Sequence, residues 1–155
     1  MEHRIATLDD VALLAGLNLQ LVQDEHHRNV RMTPEEVEER MRGFLTGRYT
    51  GVIFEENHEP VAYALYCPEG DYIYLRQLFV VRHRRRQGIG RRTVEILREQ
   101  VWPKDKRIAL DVLLVNTTGI AFWKAIGFRE YAIEMELLPA PDGTGTGARP
   151  AVAPV

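Results

Sequence analysis

The stretch Arg85-Arg86-Gln87-Gly88-Ile89-Gly90 carries the residue types that bind a multiply charged anion. Glycine has no Cβ, so Gly88 and Gly90 let backbone N–H groups close on a ligand. A helix starting here adds unpaired N–H donors and partial positive charge in its first turn. Six arginines, Arg82, Arg84, Arg85, Arg86, Arg91 and Arg92, crowd the same turn. The simplest ligand for such a turn is a pyrophosphate. Two known phosphate motifs are not matched. Thr93 stands where the dinucleotide fingerprint has a third small residue, and no Gly-Lys-Ser/Thr follows, as a Walker-type loop requires. The same residues also fit a solvated basic helix start.

Other chemistry-bearing residues are sparse. No His/Cys/Asp group has metal-ligand spacing, so no metal site is expected. Cys67, before Pro68, has no sequence neighbour that would activate it and reads as an ordinary buried or half-buried thiol.

The elements that position the glycine turn follow from periodicity. Tyr72 to Val81 is a long apolar strand before it, and a helix runs from about Gly88 to Trp102 after it, stopped by Pro103. Upstream, Thr7-Leu8-Asp9-Asp10 predicts a capping box, followed by Val11, Leu14, Leu17, Leu21 and Val22 at helical spacing. Thr33-Pro34-Glu35-Glu36 opens a second helix with Val37, Met41, Phe44 and Leu45 as its stripe. Tyr49 to Glu55 and Pro60 to Tyr66 are strands joined by a hairpin turn. Downstream, Arg107 to Val115 predicts a strand, Thr117 to Ile126 a helix ended by Gly127, and Phe128 to Leu138 a closing strand. The order is a mixed α/β layout, helices on a mostly antiparallel sheet. Residues 139–155, rich in Pro, Gly, Ala and Thr, read as a flexible tail without catalytic role, which leaves residues 1–138 as one domain.

Composition bounds the function classes. The chain has 155 residues and a net charge of −2, so the basic cluster is local. A broad nucleic-acid binder would carry net positive charge. A single cysteine excludes an internal disulfide and fits a reducing compartment. No segment has the length and apolarity of a membrane span, and no signal-peptide core is seen, so a cytoplasmic location is expected.

The element order, with Arg85-x-x-Gly88-x-Gly90 between the fourth strand and third helix, resembles the GNAT acyltransferase superfamily. Asn116, Phe122-Trp123 and Gly127-Phe128 match that family's Asn-x(5)-aromatic/apolar-Tyr-x(3)-Gly-Phe signature in spacing. Val80, Arg85 and Gly88 match the run of its fourth strand into its pyrophosphate turn. The similarity covers about residues 2 to 138. It implies a sheet of about six to seven strands with four helices, in which the fourth and fifth strands splay apart. It implies acetyl-coenzyme A as co-substrate. The pantetheine arm would pair with the edge at Leu78, Phe79 and Val80, since an amide-bearing arm can satisfy unpaired strand groups. The pyrophosphate would rest on the turn from Arg85 and Arg86 through Gln87, Gly88 and Ile89 to Gly90 and Arg91. Asn116 would hold the pantetheine, and the Val80 N–H would serve as oxyanion donor.

The proton acceptor is open between several groups. Leu110-Asp111-Val112 is similar to a Leu-Glu-Val stretch of the ribosomal-protein alanine acetyltransferases, which implies Asp111 as the base. Tyr74 and Gln77 would instead order a relaying water. Glu25, His26 and His27, with Asp24, follow the first helix, where the family's acceptor pocket is shaped; a histidine near pKa 6.5 can take a proton directly. Trp123 stands where the family has its tyrosine acid, and an indole N–H donates a hydrogen bond but no proton. Either the thiolate would leave unassisted, being a fair leaving group, or water or another phenol, such as Tyr131, would replace the acid.

The expected function is acetyl transfer to a primary amine of a small molecule or peptide. The alternatives are a non-catalytic acyl-coenzyme A binding module and a nucleic-acid binder using Arg82 to Arg92. No nucleic-acid or membrane partner is expected, and a homodimer is left open by the resemblance.

Overall fold

The computed structural model describes residues 1–24 and 32–137. Five strands form one sheet in the order β1-β2-β3-β4-β5: β1 (Glu2–Ile5), β2 (Thr50–Glu56), β3 (Glu59–Glu69), β4 (Tyr72–Val80) and β5 (Arg107–Ala109). Neighbours are antiparallel except β4 and β5, which run parallel. Helices α1 (Val11–Asp24) and α2 (Pro34–Thr46) connect β1 to β2, α3 (Ile89–Ile96) lies between β4 and β5, and α4 (Thr117–Ala125) follows β5. The mixed, mostly antiparallel α/β architecture is the one the sequence predicts. No helix of the described residues is long and apolar enough to cross a membrane.

Period-two alternation divides the core between the two sheet faces. Ile53, Tyr63, Leu65 and Phe79 pack against Val11, Leu14, Leu17 and Leu21 of α1 and Val37 and Met41 of α2. Val52, Phe54, Ala62, Ala64, Ile73 and Leu75 face Ile89, Ile96, Leu97 and Trp102. Local signals set the helix starts. Thr7 N–H donates to Asp10 Oδ2 at 2.8 Å, and the Asp9 N–H returns a bond to Thr7 Oγ1 at 3.3 Å. Thr33 and Glu36 exchange the same reciprocal pair at 2.7 and 3.2 Å. The β2–β3 hairpin turns on Asn57 (φ 53°) and His58 (φ 63°), the two left-handed residues a two-residue turn requires.

The carboxy-terminal half departs from expectation. Among the described residues the sheet has five strands, not six or seven. Strand pairing after Arg107 ends at Ala109 instead of reaching Val115, and residues 128–137 pair with no strand. The alternation of Tyr131, Ile133, Met135 and Leu137 with Glu130, Glu134 and Glu136 has strand periodicity, but a strand needs a partner edge, and residues 110–115 offer no regular one. An opening of about 2330 Å³ separates the two segments. The third helix also changes character, becoming a π-helical turn over Leu97–Val101 before Trp102. Glu25, His26, His27 and residues 138–155 lie outside the described residues.

Candidate active site

The parallel β4–β5 ladder is short. It pairs Tyr72 with Arg107, Ile73 with Ile108 and Tyr74 with Ala109, and then stops. Beyond Tyr74, residues 75–80 keep their antiparallel partner β3 but have no strand on the β5 side. That leaves the outward backbone groups of Leu78 and the Val80 N–H without a strand partner, a template for an extended amide-bearing ligand. Phe79 alternates with them: its side chain is buried, and its backbone groups turn toward β3 in step with the Val81 N–H, which donates to the Val61 carbonyl at 3.0 Å.

This open edge runs directly into the glycine turn. Arg86 (φ 62°) and Gly88 (φ 78°) are both left-handed, and Gly88 is the N-cap of α3 without a side-chain cap. Among the described residues no acceptor meets the N–H groups of Gln87, Gly88, Ile89, Gly90 or Arg91. A Cβ built on Gly88 would meet nothing within 4 Å, so the space above the turn is open. A Cβ on Gly90 would press on the Phe122 ring at 3.2 Å, so this glycine is needed for α3 to approach α4. Converging free N–H groups at a helix start suit phosphate oxygens.

The arginine side chains are mostly committed elsewhere. Arg82 pairs with Asp24 at 2.9 Å, and Arg85 pairs with the other oxygen of the same carboxylate. Burial pushes the Asp24 pKa up, but the hydrogen bonds from Arg82 and Arg85 outweigh it and hold the group below its usual range. Arg85 also donates Nε to the Val80 carbonyl at 3.0 Å and lies over the Phe79 ring. Arg84 pairs with Glu56, Arg91 donates to the Ala125 carbonyl at 3.1 Å, and Arg92 lies 3.7 Å from Glu95. Arg86 is the one of the six with no partner among the described residues. The pooled positive charge expected of this turn is thus largely spent on tying it to α1 and β2.

On the other side of the gap, Asn116 Oδ1 caps α4 by accepting the Gly119 N–H at 2.8 Å. A Cβ on Gly119 would meet Asn116 Nδ2 at 2.5 Å, so the cap depends on that glycine. Trp123 packs edge-on between Phe122 (4.9 Å) and Phe128 (5.1 Å). Tyr131 is exposed, with the Arg107 guanidinium 5.3 Å above its ring.

The groups able to handle a proton gather where the strands part. The Tyr74 hydroxyl donates to Asp111 Oδ2 at 2.8 Å. Burial first, and then this hydrogen bond, push the tyrosine pKa well above its ordinary value. Gln77 is held separately: its Oε1 accepts from Tyr63 at 3.1 Å, Tyr63 accepts from Asn18 Nδ2 at 3.2 Å, and Asn18 Oδ1 accepts from Arg40 at 2.5 Å. A bulge makes this possible. Gln77 pairs with Leu65 and Leu75 with Tyr66, so Arg76 is an extra residue on β4. It turns both Arg76 and Gln77 to the α1–α2 face, which plain alternation would forbid. Arg40, Arg76, Asn18, Tyr49 and Tyr63 were not singled out from the sequence, because each becomes a site neighbour only through strand pairing or the packing of α1 and α2 on the sheet.

Comparisons with known proteins agree with this geometry. Residues 17–128 match the family model for the Acetyltransferase (GNAT) family. A search of curated proteins finds no match. Among solved structures the fold is similar to a possible acetyltransferase from Clostridium difficile 630, with TM-score 0.74 and 16% identity over 91% of this chain and 98% of that one. It is similar to the aminoglycoside N-acetyltransferase AAC(6')-Iy in complex with CoA, with TM-score 0.70 and 15% identity over 89% and 93%. A predicted acetyltransferase with acetyl-CoA from Clostridium acetobutylicum gives TM-score 0.68 and 19% identity over 88% and 95%.

Proposed function

This chain belongs to the GNAT acetyltransferase family, and from that premise we propose that it transfers the acetyl group of acetyl-coenzyme A to a primary amine of a small molecule or peptide. The observation that carries the reading is the continuity of the unpaired β4 edge with the left-handed Arg86–Gly88 turn. One extended ligand with amides at one end and a pyrophosphate at the other fits both. The turn from Arg85 and Arg86 to Arg91 would take the pyrophosphate through its backbone. Leu78, Phe79 and Val80 would take the pantetheine arm, with the Asn116 amide and the Trp123 ring on the opposite wall.

In the reaction the neutral amine attacks the thioester carbon, the C–S bond breaks, and the amine proton must leave. Asp111 would accept that proton directly or through Tyr74, whose hydroxyl passes its own proton to Asp111 as it takes the new one. Gln77, fixed by Tyr63, would orient the acceptor or a water beside them. Holding amine and thioester together supplies several kcal/mol, up to about 7–11 in the best cases. Two solved structures of similar fold carry CoA or acetyl-CoA, which supports the co-substrate. We place the acceptor on the side of β4 that faces α1 and α2, where Glu25, His26 and His27 would add to it.

Trp123 supports a second reading, a non-catalytic acyl-coenzyme A module, since no proton donor stands at that position. A nucleic-acid role is weakened by the internal pairing of Arg82, Arg84 and Arg85. Isothermal titration with coenzyme A, followed by thiol release from acetyl-coenzyme A over an amine panel, tests the proposal. Micromolar binding with amine-dependent thiol release is expected. Binding without turnover on any amine would favour the module, and no binding would overturn both.

A further inference from the structure

The β4 strand that carries Tyr74 also carries Arg76, and Arg40 of α2 reaches the same aromatic ring; the acetyl-transfer reading leaves both arginines unused. Arg76 lies 4.7 Å from the Phe44 ring centroid and 5.5 Å from that of Tyr49, and it donates to the Tyr49 hydroxyl at 3.3 Å. Arg40, from α2, lies 5.9 Å from the same Phe44 ring. Its Nη2 is held by Asn18, and its Nε is buried without an acceptor. Arg82, Arg84 and Arg85 each meet a carboxylate. Arg40 and Arg76 meet none among the described residues.

Two like charges at one aromatic ring repel, and the unmet Nε adds a desolvation cost. Burial, then the charge of Arg76, push the Arg40 pKa below its usual value. The ring contacts and the bonds to Asn18 and Tyr49 offset part of these costs, and an anion beside the two guanidiniums would relieve their repulsion. Its place is informative too. Arg76 and Tyr49 are near enough to act electrostatically on Tyr74, so the Arg76 end of the pair borders the Tyr74–Asp111 hydrogen bond. The Phe44 and Tyr49 rings, inclined at 67° to each other, flank the Arg76 guanidinium and restrict its motion, and a guanidinium so held can meet a carboxylate bidentately.

Building on the acetyl-transfer reading, we propose that Arg40 and Arg76 bind a carboxylate of the acceptor, so that the protein selects amines that also carry a carboxylate, such as amino acids. Guanidinium groups recognise a planar carboxylate bidentately. The anchored carboxylate orients the amine toward Tyr74 and Asp111. A polycationic amine meets two positive charges at the same wall and is disfavoured.

Matched pairs test this. Turnover is measured with phenylalanine, alanine and glutamate against their carboxamides, and with spermidine. The acids are expected to exceed their amides at least tenfold in kcat/KM. Arg76→Gln, at an exposed position, removes that preference mainly through KM and leaves coenzyme A affinity unchanged, while Arg76→Lys restores part of it. Equal use of acids and amides, or a preference untouched by Arg76→Gln, overturns the assignment. Calorimetry with N-acetylphenylalanine and its amide reads the anion site without turnover. Selective binding of the acid, lost in Arg76→Gln, supports the site even if no amine is acetylated, an outcome that would count against acetyl transfer alone. No selective binding overturns it.

Discussion

Tyr74 and Asp111 close the vertex of the gap between β4 and β5: Tyr74, in the last ladder pair with Ala109, donates its hydroxyl at 2.8 Å to the carboxylate of Asp111, two residues past Ala109. The two strands part where this hydrogen bond stands, so the inner end of the open edge lies beside a carboxylate with a bound phenol.

That relationship predicts how turnover responds to each partner. Asp111→Asn is expected to lower kcat by roughly 10²–10⁴ if the carboxylate is the final proton acceptor. Tyr74→Phe is expected to lose a similar factor if the proton passes through the phenol, and less than tenfold if the phenol only orients Asp111. Full activity in Asp111→Asn across the pH range would move the base to Glu25, His26 or His27. The raised tyrosine pKa also has a stability consequence. An unfolded tyrosine ionises near 10. The native state keeps Tyr74 neutral, so this stabilisation is complete below pH about 10 and is lost as pH rises through the higher native value. Tyr74→Phe is expected to flatten the alkaline fall in melting temperature.

At the turn, Gly88→Asp is expected to weaken coenzyme A binding by tenfold or more. The added carboxylate would occupy the open space where phosphate oxygens approach. Gly88→Ala is the control. A non-glycine residue at φ 78° costs about 1–2 kcal/mol in either variant. Calorimetry then separates strain from charge: if both variants bind alike, the turn is not the phosphate site.

Asp10 ties β1 to α1, because its carboxylate accepts two bonds from Arg4, at 2.8 and 2.9 Å, and the Thr7 N–H at 2.8 Å. The Arg4 bond is the largest cause holding the Asp10 pKa below its usual range. Its contribution is therefore present above pH about 4, the unfolded value, and is lost as pH falls through the lower native one. Asp10→Asn is expected to cost about 1–2 kcal/mol at pH 7 and much less at pH 3, as read by urea unfolding. An equal loss at both values would show that the charge is not what matters.

What could be read from sequence was what local chemistry decides. Both capping boxes lie within four residues, and Gly88 announces a left-handed turn by its identity. The arginine pairing was not legible, because Asp24 lies 58 and 61 residues from Arg82 and Arg85. Nor was the face of Arg76: alternation puts it opposite Gln77, and only the bulge, set by pairing with Leu65 and Tyr66, brings them together. The closing strand failed for a related reason. Tyr131, Ile133, Met135 and Leu137 have the right period, but period alone does not supply an edge to pair with.

Trp123 gives the last prediction. Its indole sits edge-on to Phe122 and Phe128 and has no proton to give. If it faces the departing thiolate, turnover depends on water for that proton, and the basic limb of the pH profile contains no group from this position. Trp123→Tyr places a hydroxyl there at the loss of part of the aromatic packing, about 1 kcal/mol. It is expected to raise kcat by up to about tenfold if thiolate departure is slow. A new fall in rate should then appear toward pH 10, where the introduced phenol ionises. Steady-state rates from pH 6 to 10.5, with thiol release as the readout, check both features together. An unchanged rate and an unchanged basic limb would mean that position 123 packs α4 and never reaches the sulfur.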